Sequence, residues 1–348
     1  MQSKIRAECK PANRSQKLPC RAGICRFYFW KNREHVKFGN WMRRAFFIVG
    51  PTATGKSELA ADVAREINAE IISADAFQIY RGLDLLTAKP DDSTLAKAPH
   101  DLVGTMPLSE EMNAEKYRRA ASRAVEEINS RGNLAIIVGG SGLYIKSLTD
   151  GLTPVPEADP KLREELNAST LDELGSRLAE LDPEALQTID IKNRRRLVRA
   201  LEICLLTGKP GSEVVAADDD PGRPGSTIPA TGVFVFRERE DLYERINQRV
   251  KAMFERGVIE EVRGCGSVSA TASQMIGLRQ IREVLEGRMS LPQCIAEIQQ
   301  STRRYAKRQL TWFRRQTSFS PLNLSLLSHN EARILLRMRA NMGIGSHV

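Results

Sequence analysis

Short apolar runs and stretches of helical periodicity alternate along the first half of this chain. The apolar runs are Ala45–Val49, Ala69–Ser73 and Asn133–Val138, which suit buried strands. Between the last two, residues 114–129 repeat apolar positions every three or four residues, the spacing of a helix packed on a core. Strands separated by helices predict an α/β fold with a parallel sheet, in which ligands bind at the carboxyl ends of the strands.

The second half of the chain is mainly helical in pattern. After Thr153–Pro156, residues 159–206 are charged and periodic, and a turn-rich linker follows at Ala216–Gly225. The apolar run Thr231–Phe236 predicts a strand that returns to the sheet, and helical patterns dominate from Glu240 to Arg315. We therefore predict a core of residues 42–155 and 216–320, a helical insertion at 156–215 and a tail at 321–348.

The positive charge of the chain is concentrated at its start. The 348 residues carry a formal net charge of +9, and residues 1–41 alone hold ten Lys or Arg against two acidic residues. This segment lacks an apolar signal core, and we predict a disordered extension or a start upstream of the true one at Met42, rather than a transit peptide. The rest of the chain is nearly neutral, so a site for a polyanion there must be a local patch.

Other broad classes of protein are disfavoured by composition. The six cysteines show no paired spacing and no nearby histidine cluster, which predicts free thiols rather than a zinc site or a disulfide framework. No apolar stretch reaches the length of a membrane span. We expect a cytoplasmic protein, monomeric, that does not bind a membrane.

A glycine-rich loop joins the first predicted strand to the first predicted helix. Its sequence, Gly-Pro-Thr-Ala-Thr-Gly-Lys-Ser, has the spacing of a phosphate-binding P-loop. In such a loop, backbone N–H groups and the helix N-terminus face an anion, the lysine adds a charge, and the final serine can ligate Mg²⁺. The sequence therefore predicts a polyphosphate site formed by Gly50, Pro51, Thr52, Ala53, Thr54, Gly55, Lys56 and Ser57.

Two further polar segments follow predicted strands and so fall at the same sheet edge. Asp75 comes just after the second strand, where a carboxylate can hold Mg²⁺ or accept a proton from a nucleophile. A turn or helix-capping role is the alternative for this residue. Gly139–Tyr144 ends the third strand, and Ser141 can donate to a base or a phosphate there, although a simple strand-to-helix turn explains the segment equally well.

The segment Ser301–Arg315 predicts a basic stripe on an anchored helix. No acidic residue occurs between Glu297 and Glu331. On a helix, Arg304, Arg308, Thr311 and Arg315 share one face, whereas Ala306, Leu310 and Phe313 share another. A solvated face normally mixes charges of both signs, so this pattern favours contact with a nucleic-acid backbone.

Two smaller basic clusters lie on other predicted helices. Lys192–Arg199 opens one helix, and Arg245 and Arg249 share a face of another because they are four residues apart. Arginine suits bidentate contacts to phosphate, but each cluster is also compatible with an ordinary solvated face.

Taken together, these motifs resemble those of the tRNA dimethylallyltransferases (the IPP transferase family), which transfer an isopentenyl group to adenosine 37 beside the anticodon. The resemblance runs in order from about Phe46 to Arg315, and its most specific block is Tyr305–Arg314. The matching segments are Gly50–Ser57, Ser73–Pro90, Gly139–Tyr144, Asn193–Glu202, Gln274–Gly287 and Thr302–Arg314.

The resemblance implies a P-loop NTPase-like core with an inserted helical tRNA-binding domain, and a prenyl transfer chemistry. Dimethylallyl diphosphate would place its diphosphate in the loop, where Thr52, Lys56 and a Mg²⁺ ion on Ser57 neutralise the leaving group. Asp75 would accept the proton from N6 of the flipped adenine, and Arg249 would clamp the diphosphate from the other side. The charge that builds during departure of the diphosphate is where fixed donors help most.

The resemblance also implies a set of tRNA contacts. The helical insertion would lie against the anticodon stem, and the basic helix would bind near the loop. The residues so implied are Asp75, Ala76, Phe77, Gln78, Ser141, Arg163, Arg195, Arg196, Arg199, Gln274, Gly277, Arg279, Lys307, Arg308, Trp312 and Arg314.

Three alternative functions share part of this pattern. A small-metabolite P-loop kinase would use ATP and would not need the basic helix. An adenylate isopentenyltransferase would share the loop and Asp75, but the insertion and the basic helix disfavour it. A non-enzymatic RNA-binding ATPase switch predicts ATP turnover stimulated by RNA and no prenyl transfer.

Overall fold

The structure, a computed structural model, describes residues 45–216 and 230–345. The predictions for residues 1–41, and most of the linker Ala216–Gly225, lie outside the described residues. Among the described helices, none is both long enough and apolar enough to cross a membrane. Cys204, Cys265 and Cys294 are free thiols, as predicted for them.

The central sheet has six strands, all parallel, which confirms the predicted α/β class. Their spatial order is β3-β2-β4-β1-β5-β6, so β1 lies between β4 and β5. The short strand β3 was not predicted, because two residues carry no readable alternation. The strands are β1 (Ala45–Val49), β2 (Glu70–Ala74), β3 (His100–Asp101), β4 (Ala135–Gly139), β5 (Ala230–Phe236) and β6 (Ser320–Asn323).

Helices connect and cover these strands. The longest, α13, begins at a capping box in which Ser290 and Gln293 bond each other's backbone N–H, with Pro292 in the first turn. The helices are α1 (Lys56–Ile67), α2 (Asp92–Leu95), α3 (Ala114–Ser130), α4 (Gly142–Thr149), α5 (Pro160–Ala168), α6 (Leu171–Leu181), α7 (Pro183–Thr188), α8 (Arg194–Thr207), α9 (Gly211–Ala216), α10 (Arg239–Glu255), α11 (Val258–Arg263), α12 (Leu278–Leu285), α13 (Leu291–Gln316) and α14 (His329–Gly345).

Alternate residues of each strand point to opposite faces of the sheet, and each face has its own hydrophobic core. Phe46 and Ile48 of β1 belong to the core that contains residues of α1 and α14. Phe47 and Val49 belong to the larger core, which contains residues of α3, α4 and α10 to α13. The sheet is therefore covered on both faces, and its functional edge is the carboxyl end of the strands.

Two parts of the predicted domain plan have distinct outcomes. Residues 160–216 form five helices, and α5, α6, α7 and α8 pack around a hydrophobic cluster that is separate from both sheet cores. Residues 320–345, by contrast, are not a tail: β6 pairs with β5, and α14 packs on α1. Buried Ala332, Leu336 and Ala340 explain the difference, because they form an apolar stripe that places α14 in the core.

Candidate active site

The loop between β1 and α1 has the backbone that an anion-binding loop requires. Ala53 and Gly55 have positive φ values of 65° and 91°, and Gly55 precedes the first turn of α1. Gly50 passes so close to β5 that a Cβ atom there would lie 2.0 Å from the Val235 carbonyl oxygen. Its N–H donates to the Gly139 carbonyl at 3.1 Å, so the loop is fixed to both neighbouring strands.

The lysine of the loop is buried within it. Lys56 Nζ donates to the Pro51 carbonyl at 3.2 Å, and the Thr54 hydroxyl donates to the same oxygen at 3.0 Å. Burial lowers the pKa of Lys56 to about 8; the Asp75 carboxylate opposes this shift and the Arg249 charge adds to it. Lys56 is thus a buried cation with Asp75 as its nearby carboxylate, and an incoming phosphate would bring further negative charge to it.

Three arginines hold the loop from outside, one from the turn after β5 and two from α10. Arg237 Nε donates to the Thr54 carbonyl at 2.8 Å, and Arg245 Nε donates to the Ala53 carbonyl at 2.9 Å. Arg249 Nη1 donates to the Thr52 hydroxyl at 2.8 Å. The shared face predicted for Arg245 and Arg249 is confirmed, whereas the role of Arg237 was not predicted, because a lone arginine after a strand has no distinctive spacing.

Arg249 is the arginine whose bonding is incomplete. Its Nε atom is buried and, within the described part of the chain, has no hydrogen-bond partner. Burial lowers the pKa of Arg249, and the Asp75 carboxylate partly offsets the shift. Two cations, Lys56 and Arg249, thus share one nearby carboxylate, and the excess positive charge suits a bound polyanion.

Asp75 lies just past the end of β2. Its Oδ1 accepts hydrogen bonds from the backbone N–H of Phe77 at 2.9 Å and of Gln78 at 3.3 Å. The turn role that the sequence allowed is therefore present. Oδ2 makes no hydrogen bond to any described residue, so the same carboxylate can still accept a proton or approach a cation.

Three tyrosines lie near this carboxylate, and the sequence analysis did not single them out as site residues. The rings of Tyr117 and Tyr144 stack with centroids 4.0 Å apart, and the Tyr117 hydroxyl donates to the Ser73 carbonyl at 3.1 Å. Burial raises the pKa values of Tyr117, Tyr144 and Tyr305, and the charge of Asp75 raises each further. Scattered single tyrosines give no sequence signal. Together they make a dry surface beside Asp75, where electrostatic interactions are strong.

Ser141 is buried at the start of α4 and is already used inside the protein. Its Oγ accepts from the Ala76 N–H at 2.8 Å, and its own N–H donates to the Ala74 carbonyl at 3.1 Å. The strand-to-helix turn that the sequence allowed is therefore what the structure shows. Its hydroxyl holds the chain beside Asp75.

Gln309 of α13 also reaches the site, although sequence reasoning did not single it out. Its Oε1 accepts from the Thr52 N–H at 2.9 Å, and its Nε2 donates to the Gly140 carbonyl at 2.8 Å. Three residues further along, the Trp312 ring packs on Gly142, where a Cβ atom would lie 2.5 Å from the ring. The helix α13 is thus seated directly on the ends of β1 and β4.

The opposite face of α13 is exposed and basic, as predicted. Ala306 and Phe313 are buried, whereas the predicted stripe faces solvent. Arg314 lies over the Phe236 ring, 5.7 Å from its centroid, and Arg308 lies over Tyr305 at the same distance. A surface cleft of about 390 Å³ runs along this face. It is lined by Lys307, Arg308, Thr311, Trp312, Arg315 and Gln316.

The other predicted contacts fall into two groups near the core. Gln274 and Arg279 are exposed, but Gly277 is buried, and a Cβ atom there would lie 2.9 Å from Leu86. Its positive φ of 100° at the start of α12 explains why glycine is needed. Ala76, Phe77 and Gln78 are half-buried, and Gln78 Nε2 donates to the Ala88 carbonyl at 2.9 Å. Gly277 is thus needed for the backbone conformation at the start of α12, and it has no side chain that could contact a ligand.

The predicted arginines of the insertion do not contribute to the loop site. Arg195 and Arg196 are exposed on α8. Arg163 and Arg199, in contrast, both form ion pairs with the fully buried Glu202, and Arg199 also donates to the Pro156 carbonyl at 2.8 Å. These two guanidinium groups therefore fasten α5 and α8 together.

Replacing Glu202 with glutamine is expected to destabilise the insertion by about 2 kcal/mol at pH 7. Burial alone would raise the pKa of Glu202, but the bonds from Arg163 and Arg199 outweigh it and lower the pKa. The stabilisation by ionised Glu202 is present at pH values above the pKa of this group in the unfolded chain. It is lost as the pH falls through the pKa of Glu202 in the folded protein. Urea unfolding of Glu202→Gln and of wild type at several pH values measures this stabilisation as a difference in the free energy of unfolding. Glu180→Gln, at an exposed position of α6, is the control; an equal loss in both variants would refute the role.

The oxygen donors at the loop suit a hard divalent cation. The Ser57 hydroxyl makes no hydrogen bond to another described residue, and Asp75 keeps Oδ2 free. Mg²⁺ prefers few protein oxygens together with water and phosphate oxygens, which this pair permits. A second cluster of possible metal ligands lies on the outer side of α1 and consists of Glu58, Asp62 and His329. Asp62 in this cluster is already paired with Lys97 and His329.

Comparison with known proteins places this chain in a family. Residues 78–316 match the model of the IPP transferase family. The chain belongs to the IPP transferase family. That matched range includes α13 with Gln309 and its basic face, α10 with Arg249, and the whole insertion. The resemblance expected from the motifs is therefore confirmed.

Named relatives cover nearly all of the described chain. A tRNA dimethylallyltransferase of Geobacter sulfurreducens is 42% identical over 293 residues, which cover 81% of this chain and 93% of that protein. One from Akkermansia muciniphila is 40% identical over 270 residues, covering 78% of this chain and 90% of its own. The chain is thus similar to these transferases over both the core and the insertion.

Solved structures agree with the fold of this IPP transferase family member. A tRNA isopentenylpyrophosphate transferase of Bacillus halodurans superposes with a TM-score of 0.62 at 31% identity, covering 87% of this chain and 98% of that one. A eukaryotic dimethylallyltransferase acting on tRNA superposes with a TM-score of 0.68 at 24% identity, covering 81% of this chain and 74% of that one, and supports the fold alone.

Proposed function

We propose that this protein transfers a dimethylallyl group from dimethylallyl diphosphate to N6 of adenosine 37 in tRNAs that read codons beginning with U. The products are N6-isopentenyladenosine and diphosphate. The observation that carries the proposal is the placement of two buried cations at the loop: Lys56 donates to the Pro51 carbonyl, and Arg249 donates to the Thr52 hydroxyl and keeps a buried Nε without a partner among the described residues. Membership of the family supplies the reaction class.

The reaction would begin with the diphosphate in the loop. Lys56 and Arg249 bind its oxygens, and the free Nε of Arg249 gains the acceptor that it lacks. The amine N6 attacks C1 of the prenyl group, and the C1–O bond breaks with its electron pair leaving on diphosphate. The fixed cations lower the barrier because charge accumulates on that oxygen during bond breaking.

Asp75 is the group placed to take the proton. Its Oδ1 is held by two backbone N–H groups, so the carboxylate is oriented while Oδ2 is left free to accept the N6 proton. The buried rings of Tyr117 and Tyr144 stack on each other and keep water away from this side of the carboxylate. The N–H bond that breaks at N6 is thus replaced by a new O–H bond on Asp75.

A Mg²⁺ ion, held by Ser57 with phosphate oxygens and water, would add positive charge against the leaving diphosphate. The chain's own ligand would be the Ser57 hydroxyl in the first turn of α1, which leaves Asp75 Oδ2 for the proton. The chain's own cations do not depend on the ion to bind the diphosphate.

The exposed face of α13 supports a polynucleotide acceptor rather than a free nucleotide. Lys307, Arg308 and Arg315 border one cleft, and no acidic residue occurs from Ile298 to Asn330. A small acceptor needs no such face, which argues against a metabolite kinase and against an adenylate isopentenyltransferase. Monomeric state and cytoplasmic location remain predictions.

Single-turnover transfer from radiolabelled dimethylallyl diphosphate tests the proposed function. Purified protein and Mg²⁺ are incubated with an unmodified anticodon stem-loop containing A36-A37-A38, or with AMP. Label on the stem-loop alone is the expected result. Label on AMP would identify an adenylate isopentenyltransferase, and label on neither would refute prenyl transfer.

Replacing Arg308 with alanine is expected to weaken stem-loop binding about tenfold and to reduce the slope of log K against log salt by roughly 1. Affinity for dimethylallyl diphosphate should be unchanged, because Arg308 lies on the face of α13 turned away from the loop. Filter binding over a range of salt concentrations measures both quantities. Arg337→Ala, on the far side of the sheet, is the control. Equal slopes for wild type and Arg308→Ala would refute the contact.

A further inference from the structure

Gln309 makes two long-range hydrogen bonds from the middle of α13. Its carboxamide accepts from the Thr52 N–H at 2.9 Å and donates to the Gly140 carbonyl at 2.8 Å. The side chain is only 5% exposed. A Cβ atom on Gly140 would lie 2.3 Å from Gln309 Nε2, so the amide fits against bare backbone. Both ends of the carboxamide are thus satisfied by the ends of β1 and β4.

The same carboxamide is the centre of a chain of contacts that reaches both charged groups of the site. Thr52, held at its N–H by Gln309, accepts from Arg249 with its hydroxyl. On the other side, Gln309 donates to the Gly140 carbonyl, and Ser141 is the next residue of the chain. Ser141 in turn accepts from the N–H of Ala76, next to Asp75. Few side chains other than a glutamine could supply both an acceptor and a donor at this position.

We infer that Gln309 is a positioning residue, which fixes the phosphate loop so that Thr52 sets Arg249 against the leaving diphosphate. The inference rests on the proposed function and deepens it. Gln309 touches no reacting atom. Without it, the Thr52 N–H and the Gly140 carbonyl would both lose their partners, and the loop could shift relative to Asp75. A misplacement of about 1 Å can cost a hundredfold in rate.

Gln309→Met tests this role, because methionine fills a similar volume and can make neither hydrogen bond. Gln299→Ala is the matched control: Gln299 also lies on α13 and donates to the Asn247 carbonyl, away from the loop. We expect the single-turnover rate of Gln309→Met to fall about tenfold to a hundredfold, with stem-loop affinity within about twofold. Gln299→Ala should keep the wild-type rate.

A double-variant cycle with Thr52→Ala separates positioning from a general loss of stability. If Gln309 acts through Thr52, the combined loss in rate will be smaller than the product of the two single losses. Independent losses that multiply, or a Gln309→Met rate within twofold of wild type, would overturn the inference. Failure of the wild-type protein to prenylate the stem-loop would instead refute the proposed function.

Discussion

Asp75→Asn is expected to lower the single-turnover rate of prenyl transfer by about 10²- to 10⁴-fold. Asparagine keeps an oxygen that can accept from the N–H groups of Phe77 and Gln78, so the turn after β2 should be preserved. It has no basicity at the carboxamide, and the N6 proton then has no acceptor at this position. Rapid-quench measurement with saturating dimethylallyl diphosphate and stem-loop gives the rate of the chemical step.

The binding of both substrates is the control for that experiment. Stem-loop affinity should change by less than about threefold, because Asp75 follows β2 and is not part of the exposed basic face of α13. Asp75→Ala removes the turn bonds as well and should add a loss of thermal stability that Asp75→Asn lacks. Equal losses of rate and of stem-loop affinity in Asp75→Asn would contradict the general-base role.

Arg249→Gln is expected to lower the rate by about 10²- to 10³-fold and to weaken dimethylallyl diphosphate binding. The guanidinium reaches the Thr52 hydroxyl with Nη1 and keeps a buried Nε that lacks a partner, so its charge is directed into the loop. Glutamine is shorter and carries no charge. Binding of the diphosphate by calorimetry and rapid-quench rates separate the two losses.

A graded series makes the Arg249 prediction specific. Arg249→Lys keeps the charge but not the planar guanidinium group. Its rate and its affinity for dimethylallyl diphosphate should lie between those of wild type and Arg249→Gln. Lys251→Ala removes an exposed cation from the same helix and should leave rate and binding unchanged. If Arg249→Gln reduced stem-loop affinity as strongly as diphosphate affinity, Arg249 would be a tRNA contact and the clamp role would be wrong.

Sequence patterns predicted the parts of the fold that depend on neighbouring residues. Periodicity located four strands, and glycine spacing located the phosphate loop. The strand β6 was missed because Ser-Pro-Leu-Asn has the composition of a loop, and its pairing with β5 is a tertiary effect. The helix α14 was also missed, since we predicted a tail at 321–348, although the spacing of Ala332, Leu336 and Ala340 is that of a helix packed on a core.

Local sequence patterns could not identify site residues whose partners are distant in the chain. Gln309 and Thr52 are 257 positions apart in the chain, and no spacing rule links them. The buried pairing of Arg199 with Glu202 was equally hidden, because a basic cluster on a helix does not reveal which of its members are engaged internally. Asp75 and Lys56 could be predicted as site residues because each has a recognised position relative to a strand or a motif, whereas the role predicted for Arg249 came from the family resemblance.

The position of β6 and α14 affects how the protein folds as it leaves the ribosome. These elements are made after every other described one, yet α14 covers the helix that carries Lys56, and Arg337 pairs with Glu66 of that helix. A nascent chain halted at Phe319 would hold every residue assigned here to the diphosphate, but one face of α1 would lack its cover. Competence to bind the diphosphate should therefore arise only after α14 has been made and has packed on α1.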